Sequence, residues 1–284
     1  MSLAGGVTVV VPVWDRYCAF LQSCLESILE QAGERPSIVV VDNASRERLP
    51  ALPLGTEVVR SPRRLSVGAA RNLGLSRVTT REVIFCDADD RLLPDAISFL
   101  RTRMAERPEL VAVICKYVSW DPKTERRVLL ERSPRPIVFR VARHPRLFAL
   151  ANLRYNCFPV VGGILRTDAV RDANGFGDSN VGEDWVLGTQ LAFRGTIEFH
   201  PTPTFLRRVH GGSLWYRAHT PADYLARCDL LRERVKRDAR VPRWVKSGLP
   251  LLALVHRRDV ARATALTGAM HPVNPLLEPH GAAK

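Results

Sequence analysis

The stretch EVIFCDADDR, residues 82–91, places three carboxylates, Asp87, Asp89 and Asp90, directly behind the apolar run Val83-Ile84-Phe85-Cys86. Like charges this close repel unless a proton or a cation lies between them. A hard divalent ion such as Mn2+ or Mg2+ takes oxygen ligands and leaves room for phosphate oxygens. Asp87 and Asp89 are two residues apart, so on a straight strand both side chains point to one face. The pattern reads as an anchor for a metal and a diphosphate. The plain alternative is a turn, where Asp is common.

The setting is strongly basic. Lys and Arg number 42 against 29 Asp and Glu, a net charge of +13. Such a chain favours polyanions: nucleic acid, anionic lipid or phosphorylated ligands. Most of the cations are Arg, whose fork binds phosphate oxygens in pairs. No aromatic-basic interleaving or recognised binding motif supports nucleic acid. No GxSxG or Cys-His signature suggests an enzyme nucleophile. The six cysteines form no CxxC pair and sit in apolar stretches. They read as reduced, cytosolic thiols without a zinc site. The N-terminal MSLAGGVTVVVPVWDR lacks the basic start and long apolar core of a signal peptide. No run of 18 apolar residues exists to span a membrane.

Several elements must position these acids. VTVVVPVW is nearly unbroken in β-branched residues, as strands buried on both faces are. YCAFLQSCLESILEQAG repeats its apolar positions with helical spacing and stops at Gly33. SIVVVDNAS reads as a second buried strand ending at Asp42, and TEVVRSP as a short third. SVGAARNLGLSRV is a helix opened by Ser66 or Gly68. EVIFCDADD is a fourth strand, and LPDAISFLRTRMAERP a helix with Pro94 in its first turn. Alternating strands and helices imply a parallel sheet with helices on both faces. Ligands then bind at the carboxyl ends of the strands. Beyond residue 110, LVAVICKYVSW reads as a strand, and residues 121–140 show no period. VGEDWVLGTQLAFRG reads as a loop entering a helix that Gly195 ends, where Asp184 suits a helix cap. TIEFHPTPTFLRRVHGGS reads as a strand and loop. Residues 221–270 are helical and basic, and the last dozen residues read as a frayed tail.

In order along the chain, VVVPVWDR, IVVVDNAS, GAARNLGL, IFCDADD and GEDWVLGTQLAFRG resemble glycosyltransferase family 2, over roughly residues 7–213. The resemblance implies a GT-A fold, an α/β architecture with a Rossmann-like, mostly parallel sheet, here followed by a C-terminal helical segment. It implies inverting transfer from a nucleotide-diphosphate sugar. Pro12 and Val13 would meet the base and ribose, Asp42 the base, and Arg71 the nucleotide. Asp87 would lie near ribose and metal. Asp89 would ligate Mn2+ or Mg2+, with His210 completing the metal and phosphate site. Asp184 matches the catalytic base, with Glu183 as its neighbour. Asn43 stands where the family's second motif has another acid, which leaves the nucleotide base open.

The domain expectation is a catalytic unit over residues 1–215 and a basic helical extension over 216–284. The partners expected are the sugar nucleotide and a sugar or lipid-linked acceptor, without nucleic acid. The expected place is the cytoplasm at the inner face of the membrane, and the expected role is in cell-envelope polysaccharide, glycolipid or glycoconjugate synthesis. Leu and Val stripes among Arg and Lys in residues 221–270 suit contact with anionic lipid, or packing on the catalytic unit. Trp185 and Trp215 have two readings, stacking on a sugar or apolar packing. Two other functions compete: a metal-dependent phosphoester hydrolase, which leaves GED unexplained, and a basic nucleic-acid-binding protein.

Overall fold

A computed structural model of the chain describes residues 3–129, 141, 144–210 and 220–267, with side chains through 262. The expectations for Trp215 and for the last dozen residues fall outside these. The described strands are β1 (Ala4–Val13), β2 (Ser37–Asp42), β3 (Glu57–Arg60), β4 (Thr80–Phe85), β5 (Arg91–Leu92), β6 (Leu110–Asp121), β7 (Arg126–Leu129), β8 (Ile164–Arg166) and β9 (Thr196–Arg208). They form one sheet in the order β3-β2-β1-β4-β8-β6-β9-β5, with β7 on β6.

The strands from β3 through β4 run parallel, as the unbroken β-branched runs require. β8 inserts antiparallel to β4 and β6, while β6 and β9 pair in parallel over their length. The sheet is thus mostly parallel rather than wholly so. On β1, Val10 joins one apolar cluster while Val9, Val11 and Val13 join the other. Period-2 alternation sends successive side chains to opposite faces, so a strand covered on both sides must be apolar throughout. Each fully buried valine contributes about 1.5–3 kcal/mol of transfer free energy.

Helices cover both faces. α1 (Cys18–Leu29) and α3 (Ala96–Glu106) pack on one. α2 (Val67–Leu75), α4 (Pro145–Arg154), α5 (Thr167–Asp172) and α6 (Glu183–Leu191) pack on the other. The C-terminal segment holds α7 (Pro221–Arg237), α8 (Arg243–Ser247) and α9 (Leu249–Thr267). All six cysteines are free and buried.

Three expectations need correction. Pro94 precedes α3 instead of sitting in its first turn, because Asp95 takes a left-handed conformation, φ 59°, and the helix starts at Ala96. β7 lies inside the span that shows no period; its four residues are all exposed, so no burial alternation marks it. α4, β5, β8 and α5 were not foreseen at all, and three of these are too short for a period to show.

Candidate functional site

The site grows from the carboxyl edge of β1, β2 and β4. Val13 and Asp42 are register partners, and the Asn43 N–H donates to the Val13 carbonyl at 2.9 Å. Asp42 is buried and fully engaged. Arg60, from the end of β3, pairs with its Oδ2, and the Ser45 N–H donates to its Oδ1 at 2.9 Å. Asn43 clamps the next loop: its Oδ1 accepts from the Leu65 N–H at 2.8 Å, and its Nδ2 donates to the Leu65 carbonyl at 3.1 Å. Pro12, Val13 and Asp42 therefore shape this edge as a rigid frame.

β4 ends at Phe85, so the three acids do not share a strand face. The Asp90 N–H donates to the Asp87 carbonyl at 3.0 Å, closing a turn over Asp87-Ala88-Asp89-Asp90. The four residues thus form the turn that the plain alternative expects. Asp87 Oδ1 accepts from Arg71 Nη2 at 2.7 Å. Asp89 Oδ2 lies 2.8 Å from His210 Nε2, and the Asp89 carbonyl accepts from Arg208 Nε at 2.9 Å. Asp90 is buried, and its Oδ1 accepts from the Arg208 N–H at 3.0 Å. Burial first, then the Asp89 and Asp87 charges, push the Asp90 carboxyl well above its ordinary range. Burial, and next Asp89, also raise the Tyr17 hydroxyl. The His210 ring stands at 5.9 Å from the Tyr17 ring and 5.5 Å from Phe20.

Arg71 is buried, on α2, and joins the acidic turn to Glu183, which lies 112 residues beyond Arg71 in the chain. Besides Asp87 it donates through Nη1 to Glu183 Oε1. It is thus an interior residue and not part of a solvated helix face. Two carboxylates offset its desolvation and hold its guanidinium above the ordinary range. The approach is close because Gly68 lacks a side chain. A Cβ there would stand 1.8 Å from the Gly177 carbonyl oxygen and 2.9 Å from Glu183 Cβ. Ser66 is the N-cap of α2; its Oγ accepts from the Ala69 N–H at 3.1 Å and donates to Asp178 Oδ1. The start of α2 is thus clasped by the loop that leads into α6.

Glu183 and Asp184 open α6 after Gly182, which takes φ 79°. Asp184 is in the first turn, so it does not cap the helix from outside. The helix N-terminus nevertheless favours its anion. Glu183 is buried on Arg71, while Asp184 keeps partial exposure. Burial and the Glu183 charge raise Asp184 to about 7, against Arg71, an Asn156 hydrogen bond and the Trp185 N–H. Asn156 Nδ2 donates to Asp184 Oδ1 at 3.0 Å, and Asn156 Oδ1 accepts from the Phe158 N–H at 3.2 Å. Trp185 is buried, packing near Tyr224 and His256, with its indole N–H on the Asn152 carbonyl. It is a packing residue and offers no sugar platform.

Asp87, Arg71, Glu183 and Asp184 are therefore gathered at one place, with Asp89 and His210 across the same turn. Sequence reasoning missed Asn156, Arg60 and Arg208. Arg208 lies inside the quoted RRVH stretch, where its neighbour His210 drew the attention. Arg60 follows a strand, and only a partner search for Asp42 would find it. Asn156 carries no sequence signal. Among the described residues no three His, Cys, Asp or Glu side chains converge as a metal cage. Asp89 and His210 could offer two donors to an ion. That suits an ion completing its shell with water and substrate phosphate, and its charge would relieve the crowded carboxylates.

Comparison with known proteins bears on the family and the fold. The family model for glycosyl transferase family 2 matches residues 8–164. An uncharacterized protein of Mycobacterium tuberculosis is 32% identical over 105 residues, 35% of this chain and 33% of that protein. The amylovoran biosynthesis glycosyltransferase AmsE of Erwinia amylovora is 28% identical over 203 residues, 68% of this chain and 71% of AmsE. The chain thus spans about a third of one curated relative it matches and about seven tenths of another. The crystal structure of S. aureus TarS 1–349 in complex with UDP-GlcNAc superposes with a TM-score of 0.67 and 15% identity, covering 92% of this chain and 76% of that one. The GT-A fold expected from the sequence is the fold observed. With more than half its length matched by the family model, and the family's motifs drawn to one sheet edge, the chain belongs to glycosyltransferase family 2.

Proposed function

We propose that this chain moves a sugar from a nucleoside-diphosphate donor to an acceptor hydroxyl, with inversion at the anomeric carbon. The observation that carries the reading is Asp184. It is a carboxylate raised to about 7, partly open, and joined through Glu183 and Arg71 to the acidic turn. A base works best with a pKa near the operating pH. In the step, the acceptor oxygen bonds to the anomeric carbon as the bond from that carbon to the diphosphate oxygen breaks. The hydroxyl proton passes to Asp184, and the diphosphate leaves with the bonding electrons. Asn156 and the start of α6 orient the base.

On the donor side, Pro12, Val13 and Asp42 frame the base and ribose, and Asp87 with Arg71 borders the ribose. Asp89 and His210 would hold Mn2+ or Mg2+. That ion would neutralise charge on the departing diphosphate. The sugar nucleotide bound in TarS supports a nucleotide-sugar donor, and the amylovoran role named for AmsE supports a place in polysaccharide or glycoconjugate synthesis. Among the described residues no helix is long and apolar enough to cross a membrane. We place the reaction in the cytoplasm, at the inner membrane face, on a sugar or lipid-linked acceptor. The phosphoester-hydrolase alternative gives Asp184 no task.

The test is a thermal-shift screen of nucleoside diphosphates and sugar nucleotides, with Mn2+ and with chelator. A bound ligand raises the apparent stability by mass action. One nucleotide series raising Tm, followed by acceptor-dependent release of that diphosphate, is the expected result. Phosphate release that proceeds equally well without any acceptor sugar would support the hydrolase instead.

A further inference from the structure

Among the described residues the C-terminal helices divide into a packed part and an exposed face. On α7, Cys228, Leu231 and Val235 are buried with Trp185 and Val186 of α6. The apolar stripe of α7 is therefore spent on the catalytic unit. α8 and α9 differ. Trp244 is 58% exposed, Leu251 67% and Leu254 63%. Leu249, His256 and Val260 are buried on the inner side of α9. At 3.6 residues per turn, Leu251, Leu254, Arg258 and Arg262 fall within an arc of about 80° on the opposite side. All four are exposed.

The charge on this face has one sign. From residue 240 to 262 the sequence holds six Lys and Arg and a single acid, Asp259. Asp259 is paired with Arg154 of α4, away from the arginines of the free face. Arg243 on α8 and Arg257, Arg258 and Arg262 on α9 are exposed, on the same two helices as the apolar trio. A helix face of Trp and Leu bordered by Arg matches the boundary between headgroups and acyl chains of an acidic membrane. Nucleic acid would use the arginines and leave Trp244, Leu251 and Leu254 in water. A second copy of this chain would bring the same positive face and be repelled.

We propose that the outer face of α8 and α9 docks on an anionic lipid surface. Trp244, Leu251 and Leu254 enter the headgroup region, and the surrounding arginines meet lipid phosphates. The inner side of α9 presses His256 to 6.0 Å from the ring of Trp185, the residue after Asp184. Docking here thus fixes the bilayer behind the helix that carries the base. The proposal stands on exposure and charge, so its test uses no activity and can fail or succeed independently of the glycosyl-transfer reading.

The experiment is flotation of the full chain with vesicles of phosphatidylcholine alone, or with phosphatidylglycerol added, at low salt. The protein should float with the anionic vesicles only. Arg257→Gln with Arg258→Gln should weaken partitioning on the order of 20–30-fold, given the usual worth of a basic residue at such a surface. Trp244→Ser with Leu254→Ser should weaken it as well, and circular dichroism should show both variants folded. Arg126→Gln with Arg127→Gln, on exposed β7, should leave it unchanged. Failure of the wild-type chain to float would overturn the proposal. So would equal loss with the β7 variant, which would mean diffuse charge. Tighter binding to a DNA duplex than to anionic vesicles, unaffected by Trp244→Ser with Leu254→Ser, would overturn it in favour of nucleic acid.

Discussion

Asp90 and Asp184 are two carboxylates raised by the same causes, burial first and then neighbouring acids. Their surroundings make them different tools. Asp90 is 5% exposed, and its Oδ1 accepts from the Arg208 backbone, so a proton placed there is sealed in. It ties the acidic turn to β9. Asp184 keeps a path to solvent and rises only to about 7, because Arg71, Asn156 and the start of α6 favour its anion. It can give up and regain its proton near neutral pH. Burial and neighbouring acids push both carboxyls up, and the cation and donors around Asp184 hold it to about 7, the range that suits a base.

The largest expected effect breaks the poised member of the pair. Asp184→Asn keeps the shape and the α6 start but removes the proton acceptor. Acceptor-dependent turnover should fall about 10²–10⁴-fold, with donor affinity and fold intact. Steady-state kinetics and calorimetry on one preparation check this. Near-normal turnover would remove Asp184 from the base role, and lost donor affinity would move it to the nucleotide side.

Next comes the turn that Asp90 anchors. Asp89→Ala removes one of the two donors proposed for the ion. Nucleoside-diphosphate affinity in Mn2+ should drop on the order of 10–100-fold, to the value measured in chelator. Calorimetry with and without the metal reads this directly. Wild-type protein binding equally well in both conditions would end the metal reading.

A smaller effect sharpens the comparison through pH. Asp184, raised to about 7, takes up a proton as pH falls through that value, so turnover should rise to a plateau above it. The Glu183 charge raises Asp184. Glu183→Gln should therefore move the acidic limb to lower pH, and cost far less at pH 8 than Asp184→Asn. A pH–rate profile for the two proteins decides it. A limb that stays in place or moves up would mean that Glu183 acts only through Arg71.

How much of this was legible follows from what makes a pattern. β1, β2 and β4 were readable because burial on both faces forces unbroken apolar runs, and Asp42 and Asp87 interrupt them at the functional edge. The roles of Asp184 and His210 came with the family's motifs, not from periodicity. The burial of Arg71 was not readable, since AARN on a helix also fits a surface face. It depends on Gly68 letting α2 approach the 177–183 loop. Asn156 and Arg60 act through tertiary contact alone. The short β5 and β8 lack the length to show a period.

The smallest expected effect tests the sealed member. If Asp90 is protonated in the fold, Asp90→Asn exchanges one neutral group for another. Its Oδ1 can still accept from the Arg208 N–H, so turnover and Mn2+-dependent nucleotide affinity should stay close to wild type. Stability carries the signature. The folded value is raised, so wild-type stability is greatest below the ordinary Asp range and declines as pH rises toward the folded value. The unfolded chain ionises Asp90 there while the fold keeps the proton. Asn carries no such penalty. In chelator, the variant should therefore gain stability over wild type as pH rises above the ordinary Asp range, as thermal melts across that rise would show. A rate loss like that of Asp184→Asn would mean that Asp90 works as an anion at the turn, and the contrast between the two carboxylates would fail.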